Sequence, residues 1–193
     1  MNHHNKKETL PVISSKDIFI GDPSSPVKIV MFGDYECMEC AAAYDVIKEI
    51  LHFYKDLVTF SYRHFPLTLI HQKAHKAAEA AIGAAQEGKF WEMHEYLFTQ
   101  RHNLGTISLN SYAREIGVKD KKFLDHLINS DYGWNVQDDL REGLQLGVTG
   151  IPAFFINGVL FEEKPILKNF AKYLEKMIAD TISLKKGDEG KRA

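Results

Sequence analysis

The 193-residue chain has only two cysteines, and they stand three positions apart. None is left over for a structural disulfide, which excludes a small scaffold stapled by disulfides. A strong excess of one sign of charge is missing too: 24 Lys and Arg face 26 Asp and Glu, a formal net charge of -2. That balance gives no pull toward nucleic acid or an anionic membrane. No apolar run approaches the ~18 residues that a membrane-spanning helix requires, so no membrane insertion is expected. The opening Met1-Asn2-His3-His4-Asn5-Lys6-Lys7-Glu8 lacks the apolar segment of a secretory signal. It points to the cytoplasm, or to the periplasm if a signal has been trimmed away. With 45% hydrophobic and 26% charged residues, usage is ordinary for a globular protein. One domain, or one domain with an insertion, is expected at this length.

The two cysteines lie in Gly33-Asp34-Tyr35-Glu36-Cys37-Met38-Glu39-Cys40. A lone C-x-x-C can be a redox pair, half of a zinc site, or two core cysteines. A four-ligand zinc site normally takes a second pair of comparable spacing, and none exists here. Nine histidines could complete one, but none forms a tight C-x-x-H with this pair.

The hydrophobic pattern places the motif. Val27 to Phe32, after the turn signal Asp22-Pro23-Ser24-Ser25-Pro26, reads as a buried strand. Tyr44, Ile47, Ile50, Leu51 and Tyr54 then recur at helical spacing. The cysteines therefore sit where a strand feeds a helix. Leu57 to Tyr62 is a second strand, and the β-α-β order favours a parallel pair. From about Gln72 to Leu146 the pattern is helical throughout. Ala74, Ala77, Ala78, Ala81, Ala84 and Ala85 make one small-residue face, and Phe90, Met93 and Leu97 another stripe. Asp120 can cap a helix that carries Phe123, Leu124, Leu127 and Ile128. The sheet resumes at Ile151 to Ile156, and Asn157-Gly158 before Val159-Leu160-Phe161 is a strong hairpin signal. Pro152, at the entrance of a strand, cannot donate to the ladder and can take the cis form. Ile166, Phe170, Tyr173, Leu174, Met177 and Ile178 mark a closing amphipathic helix.

A thiolate is the nucleophile in disulfide exchange, and a helix N-terminus offers free N–H groups and partial positive charge to stabilise one. Cys37 is expected at that end and exposed, with Cys40 one turn on and more buried. The spacing lets Cys40 attack a mixed disulfide held on Cys37, so the pair can carry two electrons.

These features together resemble the thioredoxin fold, and the helical insertion resembles its DsbA-like branch of thiol-disulfide oxidoreductases. Three stretches carry the likeness: Val27 to Cys40; Tyr62-Arg63-His64-Phe65-Pro66-Leu67 through Gly88-Lys89-Phe90-Trp91-Glu92-Met93-His94; and Glu142 to Pro152 through Asn157-Gly158. The likeness spans about residues 17–180. It implies an α/β fold with a thioredoxin-like domain at 17–66 and 147–182 and an inserted helical domain at 67–146. Flexible segments are expected at 1–16 and 183–193. It also implies a cis Pro152 beside catalytic Cys37 and Cys40, with the Ile151 backbone pairing with a substrate chain. The expected partners are protein substrates with thiols or disulfides, and a redox partner protein or small thiol. No cofactor or resident metal is expected.

The sequence departs from the family in three places. Met38-Glu39 stands between the cysteines, where DsbA carries a His that favours the thiolate. Met31, six positions before Cys37, stands where the family commonly holds a buried carboxylate. Ile151 precedes the proline, where close relatives often have Thr. Met38, Glu39, Glu36 and Asp34 are the candidates for tuning Cys37. The two glutamates oppose its ionisation, which favours a reductase or isomerase over a strong oxidant. Asp34 reads first as a turn cap, since Asp is favoured at such turns.

Blander readings apply elsewhere. His71 and His75 have a zinc-compatible i, i+4 spacing, but Gln72 replaces the glutamate of the metalloprotease pattern, so they read as a solvated helix start. His94 reads as a helix surface or partly buried packing residue, and His64 as a structural residue at a strand end. The alternative to an enzyme is a redox-sensing or metal-binding module using the same cysteines, which would release metal on alkylation. A glutathione-using relative is a third option, against which the intact pair argues.

Overall fold

In the computed structural model, which describes residues 12–189, four strands form one sheet in the order β2-β1-β3-β4. Strand β1 (Val27–Gly33) runs parallel to β2 (Val58–His64), with Val27 opposite Val58 and Gly33 opposite His64. The two are joined by helix α1 (Met38–Phe53). On its other side β1 pairs antiparallel with β3 (Ala153–Ile156), which turns into β4 (Val159–Phe161). Asn157 and Gly158 make that turn with φ of 49° and 80°, the pair of positive values a two-residue hairpin requires. Asn157 also ties the turn to β1: its Oδ1 accepts from Lys28 N at 2.7 Å and its amide donates to Pro26 O at 3.0 Å.

Alternation along β1 sorts its side chains between two faces. Val27, Ile29 and Met31 enter the main core, while Phe32 joins Phe65, Val148 and Phe155 in a smaller cluster. Every residue of β2 is buried, as a strand covered on both sides must be.

Between β2 and β3 lie α2 (Ala74–Ala85), α3 (Phe90–Thr99), α4 (Thr106–Glu115), α5 (Phe123–Ile128) and α6 (Gly133–Gln145). Most of the buried side chains of these helices share the core of the sheet, and Ala78, Ile82, Tyr132 and Val136 form a small cluster of their own. Ala77, Phe90, Met93, Leu97, Leu109 and Leu127 belong to the same buried cluster as Ile29, Met31, Phe60 and Tyr62. Helix α2 is buried on nearly every side, from Ala77 to Ala85, not on one alanine face alone. Small side chains allow that close approach: a methyl added at Gly83 would meet Phe123 at 2.8 Å and Tyr132 at 2.9 Å. Asp120 Oδ1 accepts from Lys122 N at 2.9 Å, just ahead of α5.

Both expected loose ends need correction where they are described. Residues 1–11 lie outside the described residues, but residues 12–16 pack down. Ser14 caps the 3-10 turn Ser15–Asp17, and buried Ser15 donates from Oγ to Asp139 Oδ1 in α6. The closing helix α7 (Leu167–Glu189) carries the backbone past 183, where a tail was expected. Residues 190–193 lie outside the described residues. The apolar positions Phe170 and Leu174 anchor α7 in the core.

Asp139 is the polar joint between the N-terminal turn, β2 and α6. Besides Ser15 it accepts from His64 N at 2.9 Å, and the Arg63 guanidinium lies 4.0 Å away. Burial outweighs these partners and pushes its carboxyl up to about 6. The folded chain therefore holds a proton on Asp139 over a pH range in which the unfolded chain, at about 3.8, has lost it. Stability should fall as pH rises from about 4 to 6, by on the order of 2–3 kcal/mol from this group. In Asp139→Asn, whose amide can still accept from His64 N, denaturant melts across that window should lose this slope.

Candidate active site

The turn that joins β1 to α1 is organised by one buried carboxylate. Asp34 Oδ1 accepts from Glu36 N at 3.0 Å and Cys37 N at 2.8 Å. Its Oδ2 accepts from Leu67 N at 3.1 Å and lies 2.7 Å from His71 Nδ1. Asp34 thus caps the turn, as expected, and also binds it to the segment that follows β2.

Cys37 occupies the N-cap of α1 with φ -72° and ψ 118°. Its Sγ accepts from Cys40 N at 3.0 Å, so sulfur takes the role an oxygen plays in an ordinary cap. That geometry corrects the expectation of an exposed Cys37. The side chain folds back over the first turn instead of projecting outward, and the residue is only 3% exposed. Cys40 is fully buried, as expected.

The two thiols are driven apart in acidity. Hydrogen bonds from Cys40, its side chain first and its backbone N–H second, lower the Cys37 pKa, against burial and the nearby charges of Asp34 and Glu39. Burial, and then the interaction with Cys37, pushes Cys40 far up. Cys37 is the sulfur that ionises, while Cys40 stays a thiol. Glu39 Oε2 lies 3.8 Å from Cys37 Sγ, close enough for a like charge to count. Glu36 does not join it: its Oε2 turns to Lys73 N at 2.7 Å. Met38 stands outward at 63% exposure, leaving an apolar surface beside Cys37.

Pro152 follows a cis peptide bond from Ile151. The register pairs Ala153 with Phe32, so Ile151 and Pro152 come just beyond the end of β1 that leads to Cys37. Met31 is wholly buried below, with a thioether in place of an ionisable group.

His71 and His75 do not converge. His71 faces Asp34, whereas His75 Nδ1 lies 3.1 Å from Glu79 Oε1. Among the described residues no group of three or more His, Cys, Asp or Glu is placed to hold a metal ion. His71, read from sequence as solvated, is half-buried against the turn that carries Cys37. Its partner is 37 positions away, and no local pattern signals the pairing. His94 also differs from expectation: it is fully buried, with Nδ1 2.8 Å from the Tyr35 hydroxyl. His64 is buried at the end of β2, and burial holds its imidazole down to about 3.

A parallel β-α-β unit with two thiols at the helix start, a hairpin entered by a cis-proline and a closing helix define a thioredoxin-like fold carrying a helical insertion. The sequence matches the family described as Thioredoxin over residues 14–176, and the chain belongs to it. Its architecture is that of DsbA-like proteins. Oxidised BdbD from Bacillus subtilis superposes with a TM-score of 0.76 at 21% identity, covering 83% of this chain and 92% of that one. α-DsbA2 from Wolbachia pipientis, a thiol-disulfide exchange protein, gives 0.70 at 22% identity, with 82% and 86% covered. Among curated relatives, the Na(+)/H(+) antiporter NhaA 3 of Salinispora tropica is 35% identical over 149 residues. That match takes in 77% of this chain but only 23% of the antiporter. The chain spans under a quarter of the length of such relatives. Among the described residues, no helix is long and apolar enough to cross a membrane.

His71 Nδ1, 2.7 Å from Asp34 Oδ2, engages the carboxylate whose charge opposes the Cys37 thiolate. Replacing it, in His71→Ala, removes that partner. The Cys37 pKa, followed by thiolate ultraviolet absorbance, should then rise.

Proposed function

We propose that this chain exchanges disulfides with protein thiols, Cys37 acting as nucleophile and Cys40 as resolving thiol. The observation that carries this reading is the 3.0 Å hydrogen bond from Cys40 N to Cys37 Sγ at the start of α1. It stabilises one thiolate while burial keeps the second sulfur protonated, as a sequential exchange requires. In the reducing direction, Cys37 thiolate attacks a substrate disulfide. One substrate sulfur leaves as a thiolate and the other is held on Cys37. Cys40 then attacks Cys37 Sγ, the Cys37–substrate bond breaks, and the Cys40 proton ends on the departing substrate sulfur. The substrate gains two electrons and the enzyme pair is oxidised; reversal makes the chain an oxidant.

The placement of Ile151 supports backbone recognition of an extended substrate strand. It precedes cis Pro152 and lies outside the paired register of β3. The exposed Met38 supports an apolar contact on the same client.

The balance of charge favours reduction or isomerisation over strong oxidation. A couple is oxidising when its reduced form holds a well-stabilised thiolate. Here Asp34 and Glu39 set negative charge against Cys37. The reduction potential is expected between about -270 mV, typical of thioredoxin, and about -120 mV, typical of DsbA. Glu39→His should lower the Cys37 pKa and raise the potential. If both stay put, Glu39 does not tune the couple.

The roles of the two sulfurs are separable. Cys40→Ser should accumulate mixed disulfides with client proteins, visible on non-reducing gels and lost on reduction. Cys37→Ser should trap none, and equal trapping by both variants would refute the assignment.

A further inference from the structure

Tyr62 is completely buried in β2, and its hydroxyl has no hydrogen-bond partner among the described residues. It is not remote from the chemistry. A side-chain carbon built on Gly33 would meet the Tyr62 hydroxyl at 3.0 Å and Cys40 Sγ at 3.2 Å. The hydroxyl and the resolving sulfur therefore flank one point, which glycine leaves free. The third atom at that point is the Met31 methyl, at 3.4 Å. Met31 is the cross-strand neighbour of Tyr62 in the parallel register and offers neither a proton donor nor a proton acceptor of any strength.

The ring is held where it is. Tyr35 stacks on it with centroids 5.5 Å apart, and His94, His64 and Phe98 close around it at 4.5, 5.4 and 6.0 Å. We propose that the Tyr62 hydroxyl is the hydrogen-bond donor that stabilises the Cys40 sulfur as it becomes a thiolate and attacks Cys37. This role rests on the disulfide-exchange reading above.

The electrostatics of the surroundings agree. Burial holds the Tyr62 phenol protonated, so it serves as a donor and not as a base. Tyr35 stays protonated, and His64 and His94 stay neutral, for the same reason. The remaining titratable groups that face Tyr62 and Cys40 are Cys37 and Asp34. At the resolving step Cys37 is held in the mixed disulfide and carries no charge, while Asp34 puts negative charge against a Cys40 thiolate, which increases the value of a donor. In the resolving step Cys40 Sγ bonds to Cys37 Sγ and the Cys37–substrate bond breaks. The proton lost by Cys40 passes to the departing sulfur. Tyr62 donates its hydrogen bond as charge develops on the Cys40 sulfur and keeps its own proton.

The test uses the full-length reduced chain and an aromatic disulfide reagent that releases a coloured nitrothiophenolate. Attack by Cys37 releases the first equivalent, and resolution by Cys40 the second. In Tyr62→Phe the second release should slow about tenfold (~1.4 kcal/mol), with its pH midpoint moved upward. The first release and its pH midpoint should not change, and the variant should fold at least as stably, since it loses an unpartnered hydroxyl. An unchanged second release overturns the proposal. So does equal slowing of both releases, or the same selective slowing in Tyr35→Phe, since either would mean a general packing effect. If the wild-type chain releases only one equivalent, the exchange reading fails and takes this role with it. Two wild-type releases with an indifferent Tyr62→Phe overturn the Tyr62 role alone.

Discussion

The Asp34 carboxylate joins two segments that the chain delivers to the same edge of the sheet by different routes. It accepts from the backbone at Glu36 and Cys37 on one side, and from Leu67 N, with His71 beside it, on the other. Charge-assisted hydrogen bonds of this kind are stronger than neutral ones, and in a buried site each donor left unmade would be costly. They add to the β1–β2 pairing and fix the turn that sets Cys37 at the N-cap of α1 against the segment that follows β2. The same charge works against the Cys37 thiolate. The scaffold that positions Cys37 thus also restrains its acidity.

The difference between the two thiols needs no special residue. Three positions along a helix carry a side chain through nearly one turn. Here that takes it from the polar N-terminus, where Cys37 caps α1, to the interior face, where Cys40 joins Ala43, Tyr44 and Ile47 in the core. The first position gains a backbone donor and the second loses water. Both effects act on the charged forms of the sulfurs, and they act in opposite directions. Met38 and Glu39 adjust the result from outside, one by apolar surface and one by charge.

What could be read from sequence was what short-range pattern encodes. The apolar run of β1, the Asn157-Gly158 turn, the strand-to-helix position of the cysteines and the helical run before the second half of the sheet are all local signals. What escaped depends on partners distant along the chain. Asp34 and His71 are 37 positions apart, and Ser15 and Asp139 are 124 apart. Nothing near Ser15 announces that a polar residue will be drawn into the core by a carboxylate on α6. His94 shows a second limit. Helical periodicity gives a side chain's face but not what lies opposite, and Tyr35 arrives from another element to pair with it. Cys37 was misplaced for a third reason: burial at a helix N-cap depends on the rotamer that aims the sulfur at its own backbone.

The helical insertion is best understood as the back wall of the redox site. Its α3 supplies His94 and Phe98 to the ring cluster around Tyr35 and Tyr62, and its hydrophobic residues share the core of the sheet. The insertion therefore excludes water from the side of Cys40 that faces inward. A low-dielectric wall raises the cost of ionising Cys40 and also strengthens any hydrogen bond or dipole aimed at it. Polar rings that stay neutral suit that position, because they can answer a transient charge without adding one of their own. Removing the insertion would bare the face of β2 that carries Phe60 and Tyr62, which Trp91 and His94 of α3 now cover. The sheet and the insertion are in this sense one unit, with Cys40 buried in the core that they share.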